Sequence, residues 1–184
     1  MRTMIASSLF VAMAICGAAQ SADIRSGLVI GSYPKAYNVT DVTGPAAGNG
    51  LLCYRCRYSS QPVVNIFAHK IDENVVQLIK QIDAIVGENR DSKMAAFVVL
   101  LSDKPAAEEG NLKNVAQANN LKHTPLTVYI DSDGPASYRL SKDADVTVMM
   151  WVDDEVKVNH ALKLTDLNAQ TIKAISDDTS KILN

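Results

Sequence analysis

The sequence predicts an α/β fold, a three-layer sandwich with a mixed central sheet flanked by helices. Two observations carry that prediction. Residues 63–68, Val-Val-Asn-Ile-Phe-Ala, and residues 94–101, Met-Ala-Ala-Phe-Val-Val-Leu-Leu, are apolar runs of strand length, the kind a strand buried on both faces requires. Between them Ile71, Val75, Leu78, Ile79, Ile82, Ile85 and Val86 recur on one face of a helix. Strand, helix and strand make a βαβ unit, which implies parallel strands joined by a right-handed crossover.

The chain opens with a segment that does not belong to that fold. Arg2 supplies one positive charge, residues 4–19 are almost wholly apolar or small, and Gly17-Ala18-Ala19-Gln20-Ser21-Ala22 offers small residues for cleavage. Residues 1–22 therefore read as a secretory signal peptide and 23–184 as one domain, exported to the periplasm or outside the cell. The apolar run falls short of the ~20 residues that a spanning helix needs. Ile15 stands where a lipid-modification site needs a small residue, so Cys16 leaves with the leader. Its removal changes the formal charge from −2 to −3 and leaves Cys53 and Cys56 as the remaining cysteines. A mildly acidic product argues against nucleic acid and against a basic membrane-surface patch as partners. In an oxidising compartment an even, closely spaced cysteine pair is expected to form a disulfide or to cycle between disulfide and dithiol.

Residues 23–49 are punctuated by Gly27, Gly31, Pro34, Gly44-Pro45 and Gly48, and read as short strands or a hairpin around 27–30 and 36–39. Asn38-Val39-Thr40 fits a glycosylation sequon, a pattern that chance also produces. Cys53-Tyr54-Arg55-Cys56 precedes the strand at 63–68, which is expected to be central. Asp72 is placed to cap the following helix, with Gly87 near its end. After the strand at 94–101, Ser-Asp-Lys-Pro reads as a turn, and 108–121 as a weaker helix with Leu112, Val115, Ala116 and Asn119 on one face. Residues 126–130 alternate as a strand and 131–135 form a turn cluster. Residues 145–152 make another strand, continued by 155–161 after an Asp153-Asp154 turn. Thr165-Asp166 then caps a closing helix carrying Leu167, Ile172, Ile175, Thr179 and Ile182 in phase. The order is strand, helix, strand, helix, strand, strand, helix.

That order is the element sequence of the thioredoxin fold, and the stretch from Asn120 through Thr124-Pro125 to Asp131-Ser132-Asp133-Gly134 resembles a region of secreted thioredoxin-like proteins. Residues 30–184 also resemble uncharacterised secreted thioredoxin-like proteins of planctomycete-type bacteria, through Asp41-Val42-Thr43-Gly44-Pro45, residues 52–58 and residues 144–148. The resemblance implies a cis Thr124–Pro125 bond, with Thr124 and Pro125 beside a redox pair, against the alternative of an ordinary trans proline at a strand entrance. The chain departs from the family's pattern in one respect. Thioredoxins carry Cys-x-x-Cys after the central strand, at the first turn of the next helix. Here His69-Lys70-Ile71-Asp72 occupies that place, and the cysteines precede the strand. Val63 is the seventh residue after Cys56, so the pair is expected near the start of the strand, at the opposite end from the family's site.

Three readings of the pair follow. In the first, Cys53 and Cys56 perform thiol-disulfide exchange with protein thiols or disulfides, Arg55 and Arg57 favouring the thiolate and Arg55, Thr124 and Pro125 contacting substrate. In the second, the fold is a binding or scaffold module and the disulfide rigidifies a loop. In the third, the thiolates join His69, His123 or His160 on a metal, although two thiolates are half of a four-ligand zinc site and no histidine stands at motif spacing. No cofactor is expected: neither a Gly-rich phosphate loop nor a Ser-His-Asp signature is present. Trp151 and Met149-Met150 read as packing residues. Asp153-Asp154-Glu155 and Asp177-Asp178 read as solvated turn and helix surface.

Overall fold

The structure is a computed structural model, and it describes residues 24–183; the leader assigned to 1–22, Cys16 included, lies outside the described residues. Seven strands form one mixed sheet: β1 (Val39–Asp41), β2 (Leu51–Leu52), β3 (Val63–Ala68), β4 (Ala95–Leu101), β5 (Leu126–Tyr129), β6 (Val146–Val152) and β7 (Glu155–Leu162). The helices are α1 (Tyr54–Tyr58), α2 (Glu73–Glu88), α3 (Pro105–Ala118), α4 (Ala169–Asp177) and α5 (Ser180–Leu183), with 3-10 turns at Ala136–Tyr138 and Leu164–Asp166. The strand order is β2-β1-β5-β4-β3-β6-β7. β3, β4 and β5 are parallel, whereas β6 runs antiparallel to β3 and forms a hairpin with β7.

β3 is interior, between β4 and β6, with Val63 opposite both Ala95 and Trp151. All of its residues are buried, including Asn65, whose Nδ2 donates to the Tyr37 hydroxyl at 2.7 Å. The two right-handed crossovers through α2 and α3 advance in one direction, from β3 to β4 to β5, so both helices cover the same face. On that face Val64, Ile66, Val98, Val128 and Val148 meet Leu78, Ile79 and Ile82 of α2, Leu112 of α3 and Ile175 of α4. Phe67, Phe97, Val99, Met149 and Trp151 point to the other face, covered by α1, Tyr138 and the segment 24–38. The alternation of inward positions along each strand produces these two cores from one sheet.

Asp72 caps α2, its carboxylate accepting the N–H of Val75 at 2.9 Å. Three sequence expectations are corrected, and the strand pairing, which the sequence left open, is resolved. α3 starts at Pro105, inside the stretch read as a turn, because proline is tolerated in the first helical turn, where its missing N–H has no partner to lose. The cap of the closing helix is Asn168, whose side chain accepts from Gln170 and Thr171, while Thr165 and Asp166 lie in a 3-10 turn. The segment 24–38 contains no strand, because its N–H groups go to scattered acceptors: Gly27 to Arg139 O, Leu28 to Met149 Sδ and Gly31 to Val156 O. Gly27 is required there, since it has φ +90° and a Cβ would come within 2.9 Å of Asn159 and Thr147. Finally, β5 and β6 are not neighbours. β5 pairs with β4 and β1, and the hairpin partner of β6 is β7 through Asp153 and Asp154, both at positive φ.

Candidate redox site

β2 delivers the chain to Cys53, which is extended (φ −95°, ψ 96°) and caps α1 with its own sulfur, Sγ accepting the N–H of Cys56 at 3.1 Å. One helical turn then brings the two Cα atoms to 5.2 Å, and the cysteines are joined as a disulfide with S–S 2.10 Å. The helix sorts its five residues by face. Tyr54 and Tyr58, four apart, turn toward the sheet with ring centroids 5.4 Å from each other, while Cys56 and Arg57 face solvent. Tyr54 is fully buried and stacks on Phe97 of β4, centroids 5.0 Å apart and planes 16° apart. Cys56 is exposed and Cys53 half-buried, so the two residues of the pair are not equally open to solvent.

Arg55 does not reach into solvent as a substrate contact would. Its Nε donates to Pro34 O at 2.9 Å and its Nη2 meets Asp154 Oδ1 at 2.8 Å, with 16% of the side chain exposed. It ties α1 to the segment 24–38 and to the β6–β7 turn. The backbone makes the same connection where Asp153 N–H donates to Ser60 O. Burial pushes the Tyr58 hydroxyl up to about 12, with Arg57 pulling the other way, and burial beside the Asp41 carboxylate raises Tyr54 further. Both phenols are neutral at ordinary pH and lend no charge to the sulfurs.

α1 thus packs at the end of the sheet where β3 and β4 begin. The turn after β3, with His69, Lys70 and Ile71, is at the other end, where His69 N–H donates to Asp145 O at 3.1 Å. The strand that opens beside this turn is β6, Val146 standing opposite Ala68, and it is preceded by Ala144 and Asp145 rather than by proline. Pro125 opens β5 instead, and its carbonyl accepts from Val98 N–H at 2.9 Å. Its bond to Thr124 is trans, which corrects the cis expectation: the described residues contain no cis peptide.

Thr124 and Pro125 line a cleft of about 270 Å³ together with Thr43, Arg90, Lys122 and His123; neither cysteine lines it. The loop that forms this cleft is held by Asp83 of α2, whose carboxylate accepts three successive N–H groups, from Lys122 (3.2 Å), His123 (2.7 Å) and Thr124 (2.8 Å). The histidines lie apart: His69 after β3, His123 against Gly87 of α2, and His160 on β7, 3.0 Å from Asp178 Oδ2. Among the described residues no three of the His, Cys, Asp and Glu side chains gather as a metal-binding group, and no helix is long and apolar enough to cross a membrane. Sequence reasoning missed Tyr37, which packs against Phe67, Phe97, Tyr129 and Tyr138 on the α1 side of the sheet. It also missed Arg90 and Lys93, which no motif marks.

A parallel β3–β4–β5 core extended by an antiparallel hairpin and layered between helices has the architecture of the thioredoxin fold, and here it carries a Cys-x-x-Cys disulfide. No family model matches the chain, and no curated protein matches it in sequence. Among solved structures it is similar to a candidate protein disulfide isomerase from Bacteroides thetaiotaomicron, with TM-score 0.64 and 14% identity over 87% of this chain and 94% of that one. A candidate thiol:disulfide interchange protein DsbE from Chlorobium tepidum matches with TM-score 0.58 and 11% identity over 81% of this chain and 98% of that one. A secreted disulfide oxidoreductase of Mycobacterium tuberculosis matches with TM-score 0.53 and 9% identity over 78% of this chain and 94% of that one. Likenesses at this identity establish the shared fold; the chemistry has to come from the site.

Proposed function

We propose that the chain is an exported thiol-disulfide oxidoreductase that exchanges its Cys53–Cys56 disulfide with polypeptide thiols. The observation that carries this reading is the inequality of the two cysteines: Cys56 is exposed, while Cys53 is half-buried and its sulfur already accepts the Cys56 N–H. A substrate thiolate attacks Cys56 Sγ, the Cys53–Cys56 bond breaks, and the electron pair leaves on Cys53 Sγ. A second substrate thiol, having lost its proton to solvent, then attacks the substrate sulfur of the mixed disulfide. A substrate disulfide forms and Cys56 leaves as thiolate. The substrate dithiol is oxidised by two electrons, the cysteine pair is reduced by two, and the new thiolates take protons from solvent. The exposed Arg57, next in sequence to Cys56, favours the anionic forms. The structural neighbours named as disulfide oxidoreductase and interchange proteins support the reading, as do the apolar leader at 1–22 and the resemblance to secreted planctomycete-type proteins, which favour work by residues 23–184 in the periplasm or outside the cell.

The test is oxidation of a reduced, scrambling-prone substrate by the purified protein and by Cys53→Ser and Cys56→Ser. Activity in the unaltered protein that disappears in both variants is the expected result. Equal rates in all three proteins would end the proposal. A second reading, a non-catalytic scaffold with a structural disulfide, is favoured by one observation: the turn after β3, where thioredoxins carry their thiols, holds His69, Lys70 and Ile71. It predicts a reduction potential below about −300 mV, too low for ready exchange with glutathione.

A further inference from the structure

Next to Cys56 the surface opens into a cleft of about 520 Å³ whose walls include Arg57, Tyr58, Arg90 and Lys93. Arg90 also lines the smaller cleft formed by Lys122, His123 and Thr124, so the two clefts meet at one guanidinium. Arg57, Arg90, Lys93 and Lys122 are exposed. None of the four takes part in an ion pair among the described residues. No acid forms a salt bridge with them, and the Asp83 carboxylate under Lys122 is taken up by the N–H groups of residues 122–124. Asp41 is buried and accepts from the N–H groups of Gly44 and Ala46, while Glu88 and Asp91 are exposed and unpaired with these cations. Thr124, which also lines the smaller cleft, keeps its hydroxyl buried.

Four exposed cations outside any salt bridge stand here on a chain whose formal charge is −2, and such a group makes a local positive field that the net charge does not reveal. Its place matters as much as its sign: it starts at the residue that follows the exposed Cys56. We infer that this stripe, from Arg57 through Arg90 and Lys93 to Lys122, binds an acidic segment of the polypeptide whose thiols exchange with Cys53–Cys56. The inference rests on the exchange reading for its partner and adds the partner's chemistry. Carboxylates on the segment pair with the two guanidiniums and the two ammonium groups, and the Tyr58 ring supplies an apolar wall. Pairing of this kind raises the encounter rate and selects the partner more than it tightens the final complex.

The test measures binding of a labelled, cysteine-free oligoglutamate peptide, and separately of labelled oligolysine, to the oxidised protein, with inorganic phosphate and a single-stranded oligonucleotide as competitors of the oligoglutamate. The expected result is binding of oligoglutamate that weakens with salt and falls about tenfold or more in Arg90→Glu/Lys93→Glu, with oligolysine inert. No binding, undiminished binding in the double variant, full displacement by phosphate, or tighter binding of the oligonucleotide would each overturn the inference. Reduction of the disulfide by dithiothreitol, followed in parallel, separates the two claims. A disulfide that is readily reduced in a protein that ignores oligoglutamate leaves the exchange reading standing without this one. A disulfide that resists reduction in a protein that binds oligoglutamate removes the exchange reading and leaves the cleft its acidic ligand.

Discussion

Tyr54 stacks on Phe97 with ring centroids 5.0 Å apart and planes 16° apart, and this contact fixes the residue next to Cys53 against the interior of the sheet. The disulfide is therefore mounted on the core through one buried ring. Tyr54→Ala is expected to cost about 3–5 kcal/mol, the usual loss for removing a fully buried aromatic side chain, measured by denaturant unfolding. It is also expected to speed reduction of Cys53–Cys56, because α1 loses its anchor.

Reducing the disulfide should lower stability without unfolding the protein. The loop that it closes spans residues 53 to 56, for which the chain-entropy relation gives a contribution of about 2 kcal/mol. Both hydrophobic cores are complete without it. Unfolding curves with and without dithiothreitol, and for Cys53→Ser with Cys56→Ser, check this; complete loss of the cooperative transition would contradict it.

Gly44 leaves no room for a side chain. A Cβ there would overlap the Tyr54 hydroxyl and come within 2.8 Å of both Asp41 carboxylate oxygens. Asp41 is held by the N–H groups of Gly44 and Ala46, so it has little freedom to retreat. Gly44→Ala is expected to cost about 1–3 kcal/mol by overpacking, read from the unfolding midpoint.

Asp83 shapes the cleft of Thr124 and Pro125 from beneath, through the three N–H groups that its carboxylate accepts. Asp83→Ala strands those donors and is expected to cost roughly 2–4 kcal/mol, while Asp83→Asn, which keeps one acceptor oxygen, costs less. Amide hydrogen exchange at residues 122–124 should accelerate in both variants.

Alkaline pH should destabilise the fold through its buried phenols. Burial raises Tyr37, Tyr54 and Tyr138, and pushes Tyr58 up to about 12 from an ordinary value of 10.0. Above pH 10 the unfolded chain gives up these protons while the folded chain keeps them, so the unfolded state binds fewer protons and stability falls as pH rises. The stabilisation is complete below pH 10 and is lost toward pH 12 as Tyr58 titrates. Thermal unfolding across this range, with tyrosinate absorbance as the monitor, should show a falling midpoint and little ionisation before unfolding; a flat midpoint would contradict the prediction.

Much of this protein was legible in local pattern. The fully buried β3 and β4 announce themselves as uninterrupted apolar runs, and α2 as a helical repeat of apolar residues behind a capping Asp72, because these signals come from residues within a turn or two of each other. The link between Cys53 and Cys56 was readable for the same reason, being one helical turn long. The length of α1 and the start of α3 were not, since short helices are stabilised by the surface they land on more than by their own residues.

What the sequence alone determined, then, is the run of core elements from β3 to the closing helix and the proximity of two sulfurs, both of which follow from short-range geometry. The tertiary structure decided which strands are neighbours, through pairings such as Thr40 with Val128 and Val64 with Met150, made between residues far apart in the chain. Those pairings separate β5 from β6, carry Pro125 away from the turn after β3, and bring Arg90 to the residue that follows Cys56. Neither the periodicity of a strand nor the charge of an isolated arginine encodes that meeting, because it arises only when distant registers close at once.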